Sequence, residues 1–253
     1  MPSNKHWSDA ELSVAVETYI YLLRLERNGI VYSERELNAF LSRDSLKNRN
    51  EASIRYRLRN LSAVFRAHGW PTLRRYSPAE RVGSGVRERI EEILEARRSA
   101  NADLLRPQRG PRSERAHASA GKLKGDAISR LNELRLALQE LRRSPNIGHN
   151  KPPEPIDESF PPAEEGENAE ALVRELANEI GKSKPSAKKI ERNQQRLMEF
   201  GLKTASWVGA RATKFSDAAL ATLASIAVAK FTNALPLIVE AVVAVTRYLQ
   251  HLI

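Results

Sequence analysis

The sequence predicts an all-α protein with a small helix-turn-helix-like N-terminal domain, flexible linkers and an apolar C-terminal helical hairpin. Three observations lead to this prediction: helix-start signals recur early in the chain, leucines follow at helical spacing, and uncharged runs lie near the end. They divide the chain into five regions. These are a basic helical head at 1–98, a basic linker at 99–121, an amphipathic helix at 122–143, a proline-rich acidic linker at 144–168 and a helical region with the hairpin at 169–253.

The composition excludes several classes of protein. The 253 residues contain no cysteine, which excludes disulfide-stapled modules, thiol enzymes, zinc fingers and cysteinyl iron–sulfur proteins. The five histidines stand singly, without the spacing of a metal site, and no phosphate loop or nucleophile motif occurs. We therefore expect a protein that is not an enzyme and that uses no metal and no cofactor.

The net charge of +10 is confined to the first three-fifths of the chain. Residues 1–150 contain 28 basic and 18 acidic side chains, whereas residues 151–253 contain 13 of each. Of the 28 basic residues, 24 are arginine, whose planar guanidinium suits phosphates and guanine edges. Two interpretations remain open at this point: a surface that binds a polyanion, or an arginine-biased solvated surface.

Capping boxes predict the helices of the head. A serine followed three residues later by glutamate occurs at 8–11, 33–36 and 77–80, and an aromatic residue precedes each box. Such boxes satisfy the free N–H groups at a helix start. We therefore expect helices at 9–27, 34–42 and 78–83.

The segment 50–68, which ends at Gly69, is predicted to be a third long helix. Its apolar residues recur at +4, +7 and +11 and form one stripe, with arginines on one flank and alanines along the back. Residues 42–75 contain nine basic and two acidic side chains. The apolar stripe consists of Ile54, Leu58, Leu61 and Phe65, and the alanines are Ala52, Ala63 and Ala67.

Three helices with a basic third helix are typical of helix-turn-helix and Myb-like modules, which place the third helix in the major groove of DNA. The arginines would contact phosphates or guanines, and Asn60 an adenine edge. The alternative is that the arginines only solvate a helix whose other face is core. The candidate residues for binding double-stranded DNA are Lys47, Arg49, Arg55, Tyr56, Arg59, Asn60, Arg66, Arg74 and Arg75.

The residues at 7–11, 19–25, 50–64 and 76–78 together carry a resemblance. The pattern resembles the helical N-terminal head domain of bacterial modification-dependent HNH-type restriction endonucleases and related defence proteins, over residues 5–95. Asn50 and Arg55 stand where typical members carry a serine and an acid. Because no nuclease region follows, the resemblance implies an accessory or DNA-targeting role rather than cleavage.

The middle of the chain contains one amphipathic helix and one spacer. In 122–143, apolar residues alternate at +4 and +3 over about two and a half heptads, which fits either a dimerising coiled coil or docking on the same chain. The segment 144–168 is rich in proline and acids and is predicted to be extended. It includes 147–154 (IGHNKPPE), which is similar to a short signature of uncharacterised bacterial proteins, and we interpret it as a docking peptide for a protein partner.

The apolar tail is open to three interpretations. Predicted arms at 216–234 and 236–252, separated at Pro236, could pack in a helical bundle between subunits of a homo-oligomer, could insert in a membrane, or could serve as an interfacial anchor. None of the uncharged runs between 218 and 246 reaches the length of a confident membrane span. The candidate residues for membrane or oligomer contact are Trp207, Lys230, Pro236 and Glu240.

Two functions follow from these features. The first is a DNA-binding or DNA-targeting accessory protein that self-associates through its helical tail. The second is a membrane-associated effector or adaptor of a bacterial conflict system, with the head as its sensing or docking module. The chain lacks an N-terminal signal peptide, so the expected location is the cytoplasm, with attachment to the inner membrane through 215–253 under the second interpretation.

Overall fold

The computed structural model describes residues 6–106, 119–142, 163–212 and 221–252. Within those ranges all regular secondary structure is helical, which confirms the predicted all-α class. The chain divides into two compact units. The first consists of Met1–Ala116 with Ala205–Val228, and the second of His117–Thr204 with Ala229–Ile253.

The first unit contains the helices of the head. Three of them begin within one residue of where the sequence predicts a helix start, and a fourth follows Gly83. A short 3₁₀ turn and one helical turn come after them. The helices are α1 (Asp9–Arg27), α2 (Glu34–Arg43), α3 (Glu51–Ala67), α4 (Ser84–Glu95) and α5 (Ala102–Leu105), with the 3₁₀ turn at Ser99–Asn101.

Local hydrogen bonds explain where α1 and α2 begin. The Ser8 side chain accepts the Glu11 backbone N–H at 3.2 Å, and the Glu11 carboxylate accepts the Ser8 N–H at 2.8 Å, so the first capping box is complete. The Ser33 hydroxyl accepts the Glu36 N–H at 3.3 Å at the start of α2. Both caps satisfy donors that the helix itself cannot satisfy.

Two glycines end helices in the left-handed conformation. Gly29 after α1 and Gly69 after α3 have φ values of 76° and 69°. In each case the next residue donates its N–H to a carbonyl five residues earlier, as in a Schellman motif. The predicted stop at Gly69 is therefore confirmed.

The third predicted capping box does not start a helix, so the predicted helix at 78–83 is wrong. The segment instead runs alongside α3, where the Ala79 N–H donates to the Arg59 carbonyl at 3.0 Å. Tyr76 is fully buried, and its hydroxyl donates to the Asn38 side chain at 3.2 Å. Tertiary hydrogen bonds thus take the backbone groups that a first helical turn would have used.

The core of the head surrounds α1, which is buried along most of its length. The Tyr19 ring lies 4.6 Å from the Phe65 ring, and its hydroxyl forms a hydrogen bond with the Ser62 hydroxyl at 2.9 Å. The same oxygen accepts the Leu73 N–H at 3.1 Å. Burial raises the pKa of Tyr19 to about 12. This residue therefore fixes α3 and the segment after it against α1.

The first part of the predicted basic linker belongs to the head. Leu104 and Leu105 are buried, and Arg24 of α1 donates to the Asn101 side chain at 2.8 Å. Burial of these leucines holds residues 99–106 on the head. The arginine-rich composition of the segment gave no sign of this burial. The remainder of the predicted linker at 107–118 lies outside the described residues.

The second unit is built from long helices. The predicted amphipathic helix is α6 (Ala120–Arg142), whose Leu131, Leu134 and Leu138 are buried within the chain. It packs on α7 (Ala163–Gly181), so the structure favours docking on the same chain over an intermolecular coiled coil. Residues 163–168, predicted as spacer, already belong to α7. The helices, which also extend outside this unit, are α6 (Ala120–Arg142), α7 (Ala163–Gly181), α8 (Ala187–Ala212) and α9 (Ala221–Leu252).

The predicted C-terminal hairpin is wrong, because α9 is one continuous helix with Pro236 inside it. The proline ring removes one backbone donor and crowds the preceding turn. On either side of it, Leu235 and Ile238 are buried, so apolar packing holds the helix together across the defect. The proline-rich segment with the 147–154 signature lies outside the described residues.

Candidate nucleic-acid interface

Only a narrow edge of α3 faces the solvent. The predicted apolar stripe is buried. Apart from Glu51 and Ser53 in the first turn, the side chains that remain at least partly accessible recur at +3, +4, +7, +11, +14 and +15 from Ala52, which places them on one side of a helix. We call this side the α3 edge. It consists of Ala52, Arg55, Tyr56, Arg59, Ala63, Arg66 and Ala67.

The guanidinium groups of the three arginines of the α3 edge lie at or near the surface. The Arg55 side chain is 60% exposed, and its Nε lies 2.9 Å from Glu34, an ion pair that solvent screens. The Arg59 Nε donates to the Ser77 carbonyl at 3.0 Å, which leaves the charge without a carboxylate in that contact. Arg66, near the end of the helix, is exposed. Between them the alanines add little bulk, so a phosphate backbone can come close.

The segment 77–81 crosses the middle of the α3 edge. Its Ala79 N–H is bound to the Arg59 carbonyl, and its Arg81 carbonyl accepts the Tyr56 hydroxyl at 3.4 Å. Tyr56 itself remains 52% exposed. This crossing covers the centre of the exposed side of the helix. The geometry therefore suits contact with a sugar–phosphate backbone better than deep insertion of α3 into a groove.

The predicted contact of Asn60 with an adenine edge is wrong because its side chain is buried, and Arg49 is already engaged in an ion pair. Asn60 is 3% exposed and packs inside the head, so it cannot reach an adenine edge. The Arg49 side chain is 8% exposed, and its Nε donates to Glu11 at 2.8 Å. The sequence pattern placed both near the basic surface, but the packing of α3 against α1 buries Asn60, and the ion pair with Glu11 holds Arg49.

The other predicted basic residues are exposed beside the α3 edge or at a distance from it. The Arg75 guanidinium lies 5.9 Å from the centre of the Tyr32 ring, just before α2, where Glu34 also receives Arg55. Arg74 is exposed, and its backbone N–H donates to Glu26 at 2.8 Å. Lys47 is exposed in the turn between α2 and α3. The structure thus brings Arg55, Arg59 and Arg75 to one region.

Sequence reasoning missed two arginines near the start of α1: one lies against Trp7 and the other pairs with Asp9. Arg57 is 8% exposed, and its guanidinium carbon lies 4.8 Å from the centre of the Trp7 ring. Arg89 of α4 pairs with Asp9 at the start of α1. The position of Arg57, three residues after Ile54 in the apolar stripe, was the available signal that this arginine faces inward.

The four tail candidates lie in two regions. The Trp207 ring in α8 is half-buried under the Arg211 guanidinium, 5.4 Å from the ring centre. Glu240 of α9 pairs with Arg130 of α6 at 3.1 Å, and Lys230 lies a further ten residues back along α9. Lys230 lines a cleft together with Glu140 of α6.

One segment of α9 has the length and composition of a membrane span. Ala229–Leu252 contains 24 residues with a mean hydropathy of 1.4, and 56% of its apolar window is buried inside the protein. A buried core helix of a water-soluble protein has the same properties. Pro236 lies within this segment.

The described residues contain no group of three or more side chains that could hold a metal ion. The arginines of the candidate site form ion pairs and donate hydrogen bonds through their guanidinium groups. No family model, curated protein or solved structure matches the chain. The resemblance of residues 5–95 to the head domain of modification-dependent endonucleases therefore stays a prediction.

Proposed function

We propose that the chain is a non-enzymatic DNA-binding protein whose head contacts the backbone of double-stranded DNA through the α3 edge. The observation that carries this proposal is the row of accessible arginines, Arg55, Arg59 and Arg66, with Ala52, Ala63 and Ala67 beside it on the same side of the helix. Such a row can neutralise successive phosphates without a specific base contact. The concentration of the net charge of +10 in residues 1–150 supports the same conclusion.

The segment 77–81 supports a mainly sequence-independent mode. Because it crosses the α3 edge at Arg59, the accessible arginines can reach phosphates more readily than base edges. In the proposal, self-association joins several heads so that weak individual contacts add through effective concentration. Leu136 of α6, which is 57% exposed, is one apolar side chain available for such association.

Binding of a duplex by the full-length protein over a range of salt concentrations tests this proposal. We expect the affinity to fall steeply with salt, with a logarithmic slope that decreases by about 0.9 for each phosphate contact removed. The variant R55Q/R59Q/R66Q should lose most of the binding and much of the slope. The matched control R87Q/R98Q/R106Q removes the same charge from other exposed positions and should bind nearly as well as the wild type. Equal losses in the two triple variants would exclude the α3 edge as the binding surface.

A second candidate function, membrane association, is favoured by the Ala229–Leu252 segment. Under it, the full-length protein should float with phosphatidylcholine vesicles and resist extraction by high salt, because the attraction would be apolar. A protein that stays in the aqueous fraction as a defined oligomer would exclude this candidate and agree with a tail buried in protein.

A further inference from the structure

A separate arginine cluster surrounds Trp7, on the flank of α3 next to the α3 edge. The guanidinium carbons of Arg57 and Arg49 lie 4.8 Å and 5.1 Å from the centre of the indole ring. The ring is buried, and its Nε1–H donates to the Ser53 hydroxyl at 3.3 Å, which fixes its orientation. Trp7 is therefore a rigid surface against which two guanidinium groups lie. We call Trp7, Arg49, Arg57 and Arg89 the Trp7 cluster.

Arg57 is the member of the cluster whose charge is not balanced. The residue is 8% exposed, and its Nε and Nη1 atoms are buried with no hydrogen-bond acceptor. The other two arginines have carboxylate partners. Arg49 donates to Glu11 at 2.8 Å, and Arg89 pairs with Asp9.

The cluster therefore has three guanidinium groups and two carboxylates. Burial, with smaller contributions from the charges of Arg49 and Arg89, lowers the pKa of Arg57 to about 10, so the group is still protonated at neutral pH. A buried charge without a partner is strongly unfavourable, and proteins normally supply a counter-charge or a hydrogen-bond acceptor. One monovalent anion would balance this site.

We propose that the Trp7 cluster binds one phosphate group, with Arg57 as its principal ligand. Guanidinium groups donate strong hydrogen bonds to phosphate oxygens, and Arg57 has two donor atoms, Nε and Nη1, that lack an acceptor. A phosphodiester carries the single negative charge that the cluster lacks. Arg57 belongs to α3, the helix that carries the α3 edge, so the source to which we assign the phosphate is the backbone of the proposed DNA duplex, and in this respect the inference rests on the proposed function.

Inorganic phosphate is the probe that tests the site without DNA. Isothermal titration of the full-length protein should show saturable binding of phosphate, and the melting temperature should rise more in phosphate than in chloride of equal ionic strength. In R57M, which keeps an unbranched side chain against Trp7, both effects should disappear. The matched control R98M removes an exposed arginine outside both the α3 edge and the Trp7 cluster and should bind phosphate like the wild type.

A second variant keeps the test decisive if R57M does not fold. Arg89 is partly exposed at the edge of the cluster, and R89Q should fold and weaken phosphate binding by about tenfold. A wild-type response no larger in phosphate than in chloride would overturn the proposal. Phosphate binding that is unchanged in R57M and R89Q would overturn it as well.

Duplex DNA separates the two possible sources of the phosphate group. If the site serves DNA, R57M should reduce duplex affinity and its salt slope, and free phosphate should compete with the duplex. Phosphate binding without any DNA binding would support the site and reject the proposed function. DNA binding that is lost in R55Q/R59Q/R66Q but unchanged in R57M, with no response to phosphate, would reject the site and leave the proposed function standing.

Discussion

The head and the second unit use polar side chains in different ways. In the head, hydrogen bonds and ion pairs join residues far apart in sequence, such as Tyr19 with Ser62 and Arg49 with Glu11. In the second unit, several ion pairs stay within one turn, such as Arg174 with Glu170. Directional contacts allow one arrangement of neighbouring helices, whereas leucine and valine surfaces tolerate several. The second unit contains directional contacts between helices as well, for example Arg130 with Glu240, so the difference between the two units is one of degree.

The largest effect that we expect comes from the proline of α9. Proline inside a helix costs about 3 kcal/mol relative to alanine, so P236A should raise the free energy of unfolding of the second unit by up to about that amount. Denaturant unfolding followed by circular dichroism measures it. A loss of stability in P236A would instead show that the proline marks a break between two helices.

A smaller effect is expected at the directional contacts of the head. Partial burial raises the pKa of Glu11, but hydrogen bonds from Arg49 and the Ser8 N–H outweigh it, so the pKa lies below its usual value. Because the pKa is lower in the folded state, this stabilisation is present above about pH 4.3 and disappears as the pH falls through the folded value. We expect E11Q to lose about 2 kcal/mol at neutral pH.

The pH dependence provides the control for this variant. The difference in unfolding free energy between E11Q and the wild type should shrink in acid, because the wild-type carboxylate is then protonated as well. A difference that stays constant from pH 7 to pH 3 would show that the carboxylate charge contributes nothing to the contact.

The smallest expected effect is a difference in stability between alanine substitutions at two helical glycines, Gly209 and Gly125. A Cβ at Gly209 of α8 would lie 2.6 Å from the Ser13 carbonyl oxygen and the Val14 Cα of α1, whereas a Cβ at Gly125 of α6 would contact nothing. G209A should therefore lose about 1–2 kcal/mol through overpacking. G125A should gain up to about 1 kcal/mol from helix propensity. Thermal melting of the pair measures both, and equal shifts would mean that α8 does not pack closely on α1.

The sequence predicts the head well where local chemistry decides the structure. The boxes at Ser8 and Ser33 and the stop at Gly69 depend on groups within a few residues, and the structure has all three. The box at 77–80 does not start a helix, because Ala79 and the preceding Tyr76 form hydrogen bonds with distant partners, the Arg59 carbonyl and the Asn38 side chain. Likewise, Asn60 is buried by a neighbouring helix that its own spacing does not reveal.

The tail was harder to predict because its residues are alike. A run of alanine, leucine and valine gives no sign of whether Pro236 starts a second helix or lies inside one. The outcome depends on how well Leu235 and Ile238 pack on their neighbours, and this packing cannot be read from the composition. Of the candidate site, the accessible arginines followed from helical spacing, while the inward direction of Arg57 depended on its contact with Trp7.

The unbalanced charge of Arg57 also bears on how the head can change over generations. A methionine or leucine at this position would keep the contact with Trp7 and remove the buried charge. Selection for thermal stability alone should therefore replace Arg57 early. Lineages that need the bound anion should resist that replacement and keep a less tolerant fold. The identity of this one residue would then record which of the two demands has been stronger.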